Sequence, residues 1–253
     1  MEFASSFITT SAAKLQHGLW LALNYCKLKV SCCILCTNRC QVQPLLCQYC
    51  QADLAYFKHP VVPYNLLSWP AVAQLIKQPH FDQLIAIAPY VWPFKQWISL
   101  LKYQHQTELA GLLSHLLVKH WQDYLKHDNP LINSHNSLVL SVPLHIRKWQ
   151  VRGFNQAHLI AKQFAKASNY RYQHDVIIRA KYTENQVGKS GVARRKNLKN
   201  AFELNLTPTP PPHVILIDDV VTTGTTANEI CQLLKKHGVQ TVTLLCISLA
   251  LPH

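Results

Sequence analysis

Acids are scarce in this 253-residue chain, with 12 Asp and Glu against 25 Lys and Arg. Long apolar runs are missing too. Nothing approaches the ~18–20 consecutive residues of a transmembrane helix, which excludes a spanning segment. The best N-terminal candidate, Gly18–Tyr25, is short and is followed by Lys27 and Lys29. It has no signal-peptide cleavage pattern, so a helix of an intracellular protein is expected there. The 14 histidines contain no HExxH pairing. His115 and His120 are five apart, off the helical spacing of paired ligands, and are read as surface or satisfied core residues. Disorder is excluded from the other direction, because 49% of the residues are hydrophobic and a real core is within reach.

What is present is uneven. Seven of the nine cysteines lie between positions 26 and 50. Cys33-Ile-Leu-Cys36 is followed, ten residues on, by Cys47-Gln-Tyr-Cys50. Two such knuckles can place four thiolates tetrahedrally around a structural Zn²⁺, with no open position for catalysis. Cys26, Cys32 and Cys40 are extras, and Cys32 competes with Cys33 as a ligand. A disulfide cluster and a redox CxxC are the rival readings; the first lacks a secretion signal, and the second does not need tandem copies. Cys231 and Cys246 are read as core residues.

The positive charge is concentrated as well. Residues 145–200 hold 13 Lys and Arg against Asp175 and Glu184, a local net of +11. Such a field suits a polyanion, whether a phosphorylated small molecule, a nucleic acid or an acidic lipid; the bland reading is a solvated face.

The densest chemistry is at 214–226, Val-Ile-Leu-Ile-Asp-Asp-Val-Val-Thr-Thr-Gly-Thr-Thr. Val214–Ile217 reads as a parallel strand covered on both faces. Asp218 and Asp219 are expected at its carboxyl end, where α/β sheets bind ligands. Paired carboxylates can accept from two neighbouring ribose hydroxyls. Val221 leads into a turn of Thr222, Thr223, Gly224, Thr225 and Thr226. That turn opens a helix whose free amides and dipole attract a phosphate. The helix should run to about Lys236 and bury Ala227, Ile230, Cys231 and Leu234. In the bland alternative the acids only cap that helix.

Upstream, 95–122 has helical spacing that Lys102-Tyr103-Gln104-His105 breaks in two. Leu138–Val142 reads as a second buried strand, followed by a basic loop, Leu144–Gly153. Asn155 should cap a helix over 156–168 with Ala157, Ile160, Ala161 and Phe164 inward. Both post-strand loops should open at one sheet edge, with Arg147 or Arg152 meeting a pyrophosphate. Residues 179–202 read as a long functional loop, and the prolines at 208–212 as a stiff connector.

The 214–226 segment resembles the 5-phosphoribosyl-1-pyrophosphate (PRPP) motif of type I phosphoribosyltransferases. The order of further elements resembles the ComF family of competence-associated proteins. Those elements are the double CxxC, Lys102-Tyr103, Pro143-Leu144-His145, Arg152-Gly153-Phe154-Asn155-Gln156, Gln186, Arg194-x-x-Asn197 and Ala201-Phe202. Lys189 departs from the pattern, which expects an apolar residue there.

The resemblance implies an α/β fold with a type I phosphoribosyltransferase-like core, a central parallel sheet flanked by helices. A small N-terminal zinc module would occupy 1–60 and the core 61–253, with a helical hood over about 61–135. It implies Asp218 and Asp219 on the ribose, Val221–Thr226 around the 5-phosphate, and Mg²⁺ carried with PRPP. It also implies a cytoplasmic role in natural transformation, with single-stranded DNA at the inner face of the inner membrane and the DNA-uptake machinery as partner. Lys148, Trp149, Arg152, Arg179, Arg194, Arg195 and Lys196 are the DNA-contact candidates; Trp149, Phe154 and Tyr182 are stacking candidates against the bland reading of core packing, which suits Phe154 better. Phosphoribosyl transfer to an acceptor is the alternative activity. A glutamine-dependent version is not expected, because the chain opens Met1-Glu2 without a nucleophilic cysteine.

Overall fold

The computed structural model describes residues 31–41, 43–57, 61–127, 132–144, 146–179, 201–205 and 210–251. The Gly18–Tyr25 helix, Cys26, His145, Tyr182, Gln186, Lys189, Arg194, Arg195, Lys196 and Asn197 lie outside the described residues. The chain divides into two compact units, Met1–Leu54 and Ala55–His253.

The first unit is built from two tight turns. Around Cys33–Cys36, Cys33 N–H donates to Asn38 and Thr37 N–H to Cys33. Ile34 N–H donates to Leu45, which ties the first knuckle to the second. Helix α1 (Gln48–Ala52) starts directly after Cys47, whose sulfur accepts from Cys50 N–H.

The second unit has a five-stranded parallel sheet in the order β1-β7-β6-β2-β3. Its strands are β1 (Gln83–Pro89), β2 (Ser137–Ser141), β3 (Arg171–Tyr172), β6 (His213–Val221) and β7 (Thr241–Leu249). A two-stranded antiparallel pair, β4 (Ile177–Ile178) and β5 (Glu203–Leu204), stands apart. The central strands read as unbroken apolar runs because both faces are covered. On one face Leu84, Leu138, Leu216 and Leu244 join a core with Val72 of α2 (Pro70–Leu75), with Ile76 just after it, and with Ile230 and Leu234 of α7 (Thr225–Lys236).

Helices α3 (Phe94–Tyr103) and α4 (Glu108–His127) follow β1, and α4 packs on α6 (Gln156–Ala167). The break between α3 and α4 falls at Gln104–Thr107, with His105 in the left-handed region at φ 56°. The predicted inward faces are buried: Ala157, Ile160, Ala161 and Phe164 on α6, and Ala227, Ile230, Cys231 and Leu234 on α7.

Two expectations are corrected. The acid-bearing strand does not stop at Ile217. Its register with β7 continues through Asp218↔Cys246 to Val221↔Leu249, so both acids belong to the strand. The stretch after β2 is also not a plain loop, because Ile146–Arg152 forms a short helix, α5. The helix satisfies its backbone groups internally, and Gly153 N–H closes it by donating to Trp149 O at 2.7 Å.

Candidate functional site and metal centre

Strand order decides where the site lies. From β6 the chain passes to β7 on one side, and from β2 it passes to β3 on the other. The crevice at the carboxyl ends of β6 and β2 is therefore the topological switch point of the sheet.

One wall comes from β6 and α7. Asp219 is only 4% exposed, and its carboxylate forms an ion pair with Lys102 at the end of α3. Asp218 is half-buried and accepts a hydrogen bond from the Asp219 N–H at 2.9 Å. Burial pushes the Asp218 carboxyl well above the usual carboxylate range, the Asp219 charge adds to the rise, and Lys102 offsets part of it. Burial opposes the Lys102 charge, but Asp219 wins and holds the ammonium above its ordinary value, with Asp218 adding to the effect. Past Val221, Thr222 and Thr223 are exposed, and Gly224 adopts φ 67° directly before α7. That left-handed conformation suits glycine. No side chain caps α7, so its first amides point into the turn, where the Thr223 and Thr225 hydroxyls lie 2.8 Å apart.

The opposite wall comes from the Arg152–Gln156 motif, and each residue has a definite job. Arg152 is 8% exposed, lies 4.9 Å over the Tyr103 ring and donates to Gln156 Oε1 at 3.3 Å. Gly153 makes the turn out of α5 at φ 72°. The Phe154 ring meets the His105 ring at 5.8 Å. Asn155 caps α6 by accepting from Ala157 N–H, and it donates to Val142 O at 2.9 Å, which pins α6 to the end of β2. Lys148 lies close enough to feel the site. Although the side chain reaches solvent, partial desolvation lowers its affinity for a proton, and repulsion from Arg152, Lys102 and Arg179 lowers it further. Arg179 is half-buried with its guanidinium 5.4 Å from the Phe202 ring. Arg147 and Trp149 lie on the exposed side of α5.

Of the residues expected from sequence, Asp218, Asp219 and the threonine turn lie at the end of β6 and Arg152 is buried against Tyr103, whereas Arg147 and Trp149 lie on exposed α5. Arg194, Arg195 and Lys196 lie outside the described residues. Sequence reasoning gave Lys102 and Tyr103 no chemical role. A signal was available: Lys102 follows the fully buried Ile98 by four positions, so it shares the inward face of α3.

In the first unit, the sulfurs of Cys33, Cys36, Cys47 and Cys50 all lie within 4.8 Å of one another. Cys36 and Cys47 sulfurs are 3.6 Å apart, close to the ~3.8 Å separation that tetrahedral Zn–S bonds of ~2.3 Å require. The donor set fits zinc. Cys32 is exposed and Cys40 is buried, and neither joins the cluster; the described cysteines are all free thiols. Burial resists ionisation of Cys33, but amide donors from Cys47, Cys36 and Leu35 bring its thiol down to about 6. Cys231 and Cys246 are buried in the sheet unit.

The parallel sheet flanked by helices and the acid–threonine turn at its edge define a phosphoribosyltransferase-like protein. The family model for the phosphoribosyl transferase domain matches residues 150–250. DNA utilization protein YhgH of Escherichia coli O6:H1 is 32% identical over 218 residues, covering 85% of this chain and 88% of that protein. Competence protein F of Haemophilus influenzae is 34% identical over 200 residues, covering 78% and 81%. The chain belongs to the ComF family of competence-associated, phosphoribosyltransferase-like proteins. Among solved structures, adenine phosphoribosyltransferase of Saccharomyces cerevisiae aligns with a TM-score of 0.32 at 16% identity, covering 53% of this chain and 68% of that one.

Proposed function

We propose that this protein binds a phosphoribosyl group of the PRPP type at the β6–β2 crevice and handles single-stranded DNA during natural transformation. The observation that carries the first half is the pairing of opposite chemistries across one crevice. Carboxylates suited to a ribose diol share the crevice with Arg152, which suits a pyrophosphate, and an uncapped helix start offers amides to a 5-phosphate. Asp219 is already engaged by Lys102, so the dyad is not a free metal chelator. Mg²⁺ is expected to travel with the pyrophosphate, where it would neutralise phosphate charge. The chain's own part is to orient the ribose with Asp218 and to fix the phosphates at both ends.

The DNA half is supported by the names of its relatives and by the exposed, basic helix α5, which carries Arg147, Lys148 and Trp149. This helix is placed to take phosphates outside the crevice. A cytoplasmic site at the inner membrane, with the uptake machinery as partner, is part of the same reading; among the described residues no helix is long and apolar enough to cross a membrane. The four-cysteine centre is assigned a structural zinc that organises 31–54.

The alternative reading is a Mg²⁺-dependent phosphoribosyltransferase acting on an unidentified acceptor. The raised Asp218 carboxyl favours it, since a carboxylate strained in the free protein is relieved as positive charge develops on the ribose. Calorimetry with PRPP and Mg²⁺ tests the binding site common to both. Asp218→Ala with Asp219→Ala should abolish the heat of binding, and unchanged binding would remove the assignment. Pyrophosphate release with PRPP and candidate bases or oligonucleotides separates the two readings. For the DNA half, affinity for an oligonucleotide should fall steeply with salt; a flat response would count against it.

A further inference from the structure

Beside the phosphoribosyl crevice, on its far side from α7, lies a cavity of about 460 Å³. That volume falls within the ~300–1,000 Å³ of small-molecule sites. Trp149 of α5, Phe154, Leu144, His158 of α6 and His174 line it, with Ser141 at the end of β2. Among the described residues its lining contains no lysine and no arginine.

Three polar groups behind it form a chain. The Ser141 hydroxyl lies 3.1 Å from the Tyr172 hydroxyl, which lies 2.7 Å from His158 Nδ1. Burial keeps Tyr172 protonated, and burial together with His174 and Lys162 keeps His158 from taking up a second proton. When the Ser141 hydroxyl donates to the Tyr172 oxygen and the phenol donates to Nδ1, the imidazole hydrogen sits on Nε2. Nε2–H then remains as a donor at the cavity wall, flanked by the His174 ring at 5.8 Å. Trp149 is 51% exposed at the mouth, next to exposed Arg147 and Lys148.

We propose that this cavity is a nucleobase pocket. It takes one unstacked, carbonyl-bearing base against Trp149 and Phe154, with His158 Nε2–H donating to the base carbonyl. The backbone phosphates stay outside on Arg147 and Lys148. A neutral aromatic cavity fringed by cations matches a nucleotide, whose base is neutral and flat and whose phosphate is charged. A free anion would gain little from walls without cationic side chains. The pocket rests on the DNA reading for the source of the base, as a strand or a free nucleotide, and is independent of the phosphoribosyl reading.

The test uses the full chain in anisotropy titrations with oligothymidylate and with an abasic oligonucleotide of the same length. The wild type should bind oligothymidylate at least ~5-fold more tightly, the low end of one base–aromatic stack. Trp149→Ala and His158→Leu should close that gap, and Trp149→Phe should keep most of it. If either truncation fails to fold by circular dichroism, the other decides. Equal wild-type affinity for both oligonucleotides would overturn the pocket and leave the DNA reading standing. If neither oligonucleotide binds, the DNA reading falls and thymidine 5′-monophosphate becomes the probe. Binding that His158→Leu abolishes would then support the pocket, and no binding would overturn it.

Discussion

Lys102→Met isolates the electrostatics of the crevice. The substitution keeps side-chain length and removes the ammonium that neutralises Asp219. Both side chains are well shielded, at 16% and 6% exposure, so solvent screening does not erase the pair. At a contact of ~4 Å and an effective dielectric of ~20, the lost attraction is about 4 kcal/mol. Removing one partner of a buried pair commonly costs about 3–5 kcal/mol. The acid pair can limit that loss by taking up a proton, and near pH 7 this costs about 4 kcal/mol against a carboxylic acid of ordinary pKa ~3.9. The same limit is about 1.5 kcal/mol at pH 5. The sign follows from linkage: an acid that stays protonated in the folded state but ionises on unfolding loses stability as pH rises. In the wild type, the raised Lys102 gives stability that is fully present below its unfolded pKa and fades only in alkaline solution, so it contributes no slope between pH 5 and 7. Urea unfolding of both proteins at pH 5 and pH 7 is the assay. The variant should lose about 4 kcal/mol at pH 7 and about 1.5 kcal/mol at pH 5. Lys102→Met combined with Asp219→Asn should recover most of the loss. A loss that is equal at the two pH values, or below ~1 kcal/mol at pH 7, would refute the idea that Lys102 compensates a buried acid pair.

Asp218→Asn should stabilise the free protein by on the order of 1 kcal/mol while weakening PRPP binding, the usual exchange at a strained site. Its raised pKa makes the wild-type carboxylate costly above the unfolded value, so the gain should be present at pH 7 and vanish toward pH 4 in thermal melts. Cys33→Ser should lose stoichiometric zinc by elemental analysis, and full retention would refute the four-sulfur set. Arg152→Lys should weaken PRPP binding in calorimetry despite conserving charge, because a lysine reproduces neither the stack on Tyr103 nor the planar fork.

Where the sequence was informative, the reason is local. Val214–Ile217 and the apolar run at 241–249 read as buried strands because a sheet covered on both faces needs no alternation. The inward stripes of α6 and α7 are visible at helical spacing, and the paired CxxC turns carry their geometry in their spacing. The end of β6 was not legible, because its last residues are held by pairing with β7, a partner chosen by the sheet and not by neighbours in sequence. Helix α5 was missed because Ile146, Trp149 and Val151 are exposed, so it has no buried stripe to reveal it. The ion pair of Lys102 with Asp219 joins α3 to a distant strand, and no local pattern announces it.

The place of β7 in the sheet also has a consequence in time. It is the last strand in the chain order, yet it lies between β1 and β6 and supplies the whole ladder for β1. A growing chain that has not yet delivered Thr241–Leu249 has an orphaned β1 and a β6 open along one edge. The segment bearing Asp218 and Asp219 is then unsupported on the side where Cys246 and Ser248 will lie. The crevice proposed to bind the ligand is therefore complete only once Thr241–Leu249 has joined the sheet. Late closure of such distant pairings is intrinsically slow. Half-made chains would present a bare strand edge, the kind of surface that nascent-chain chaperones exist to cover.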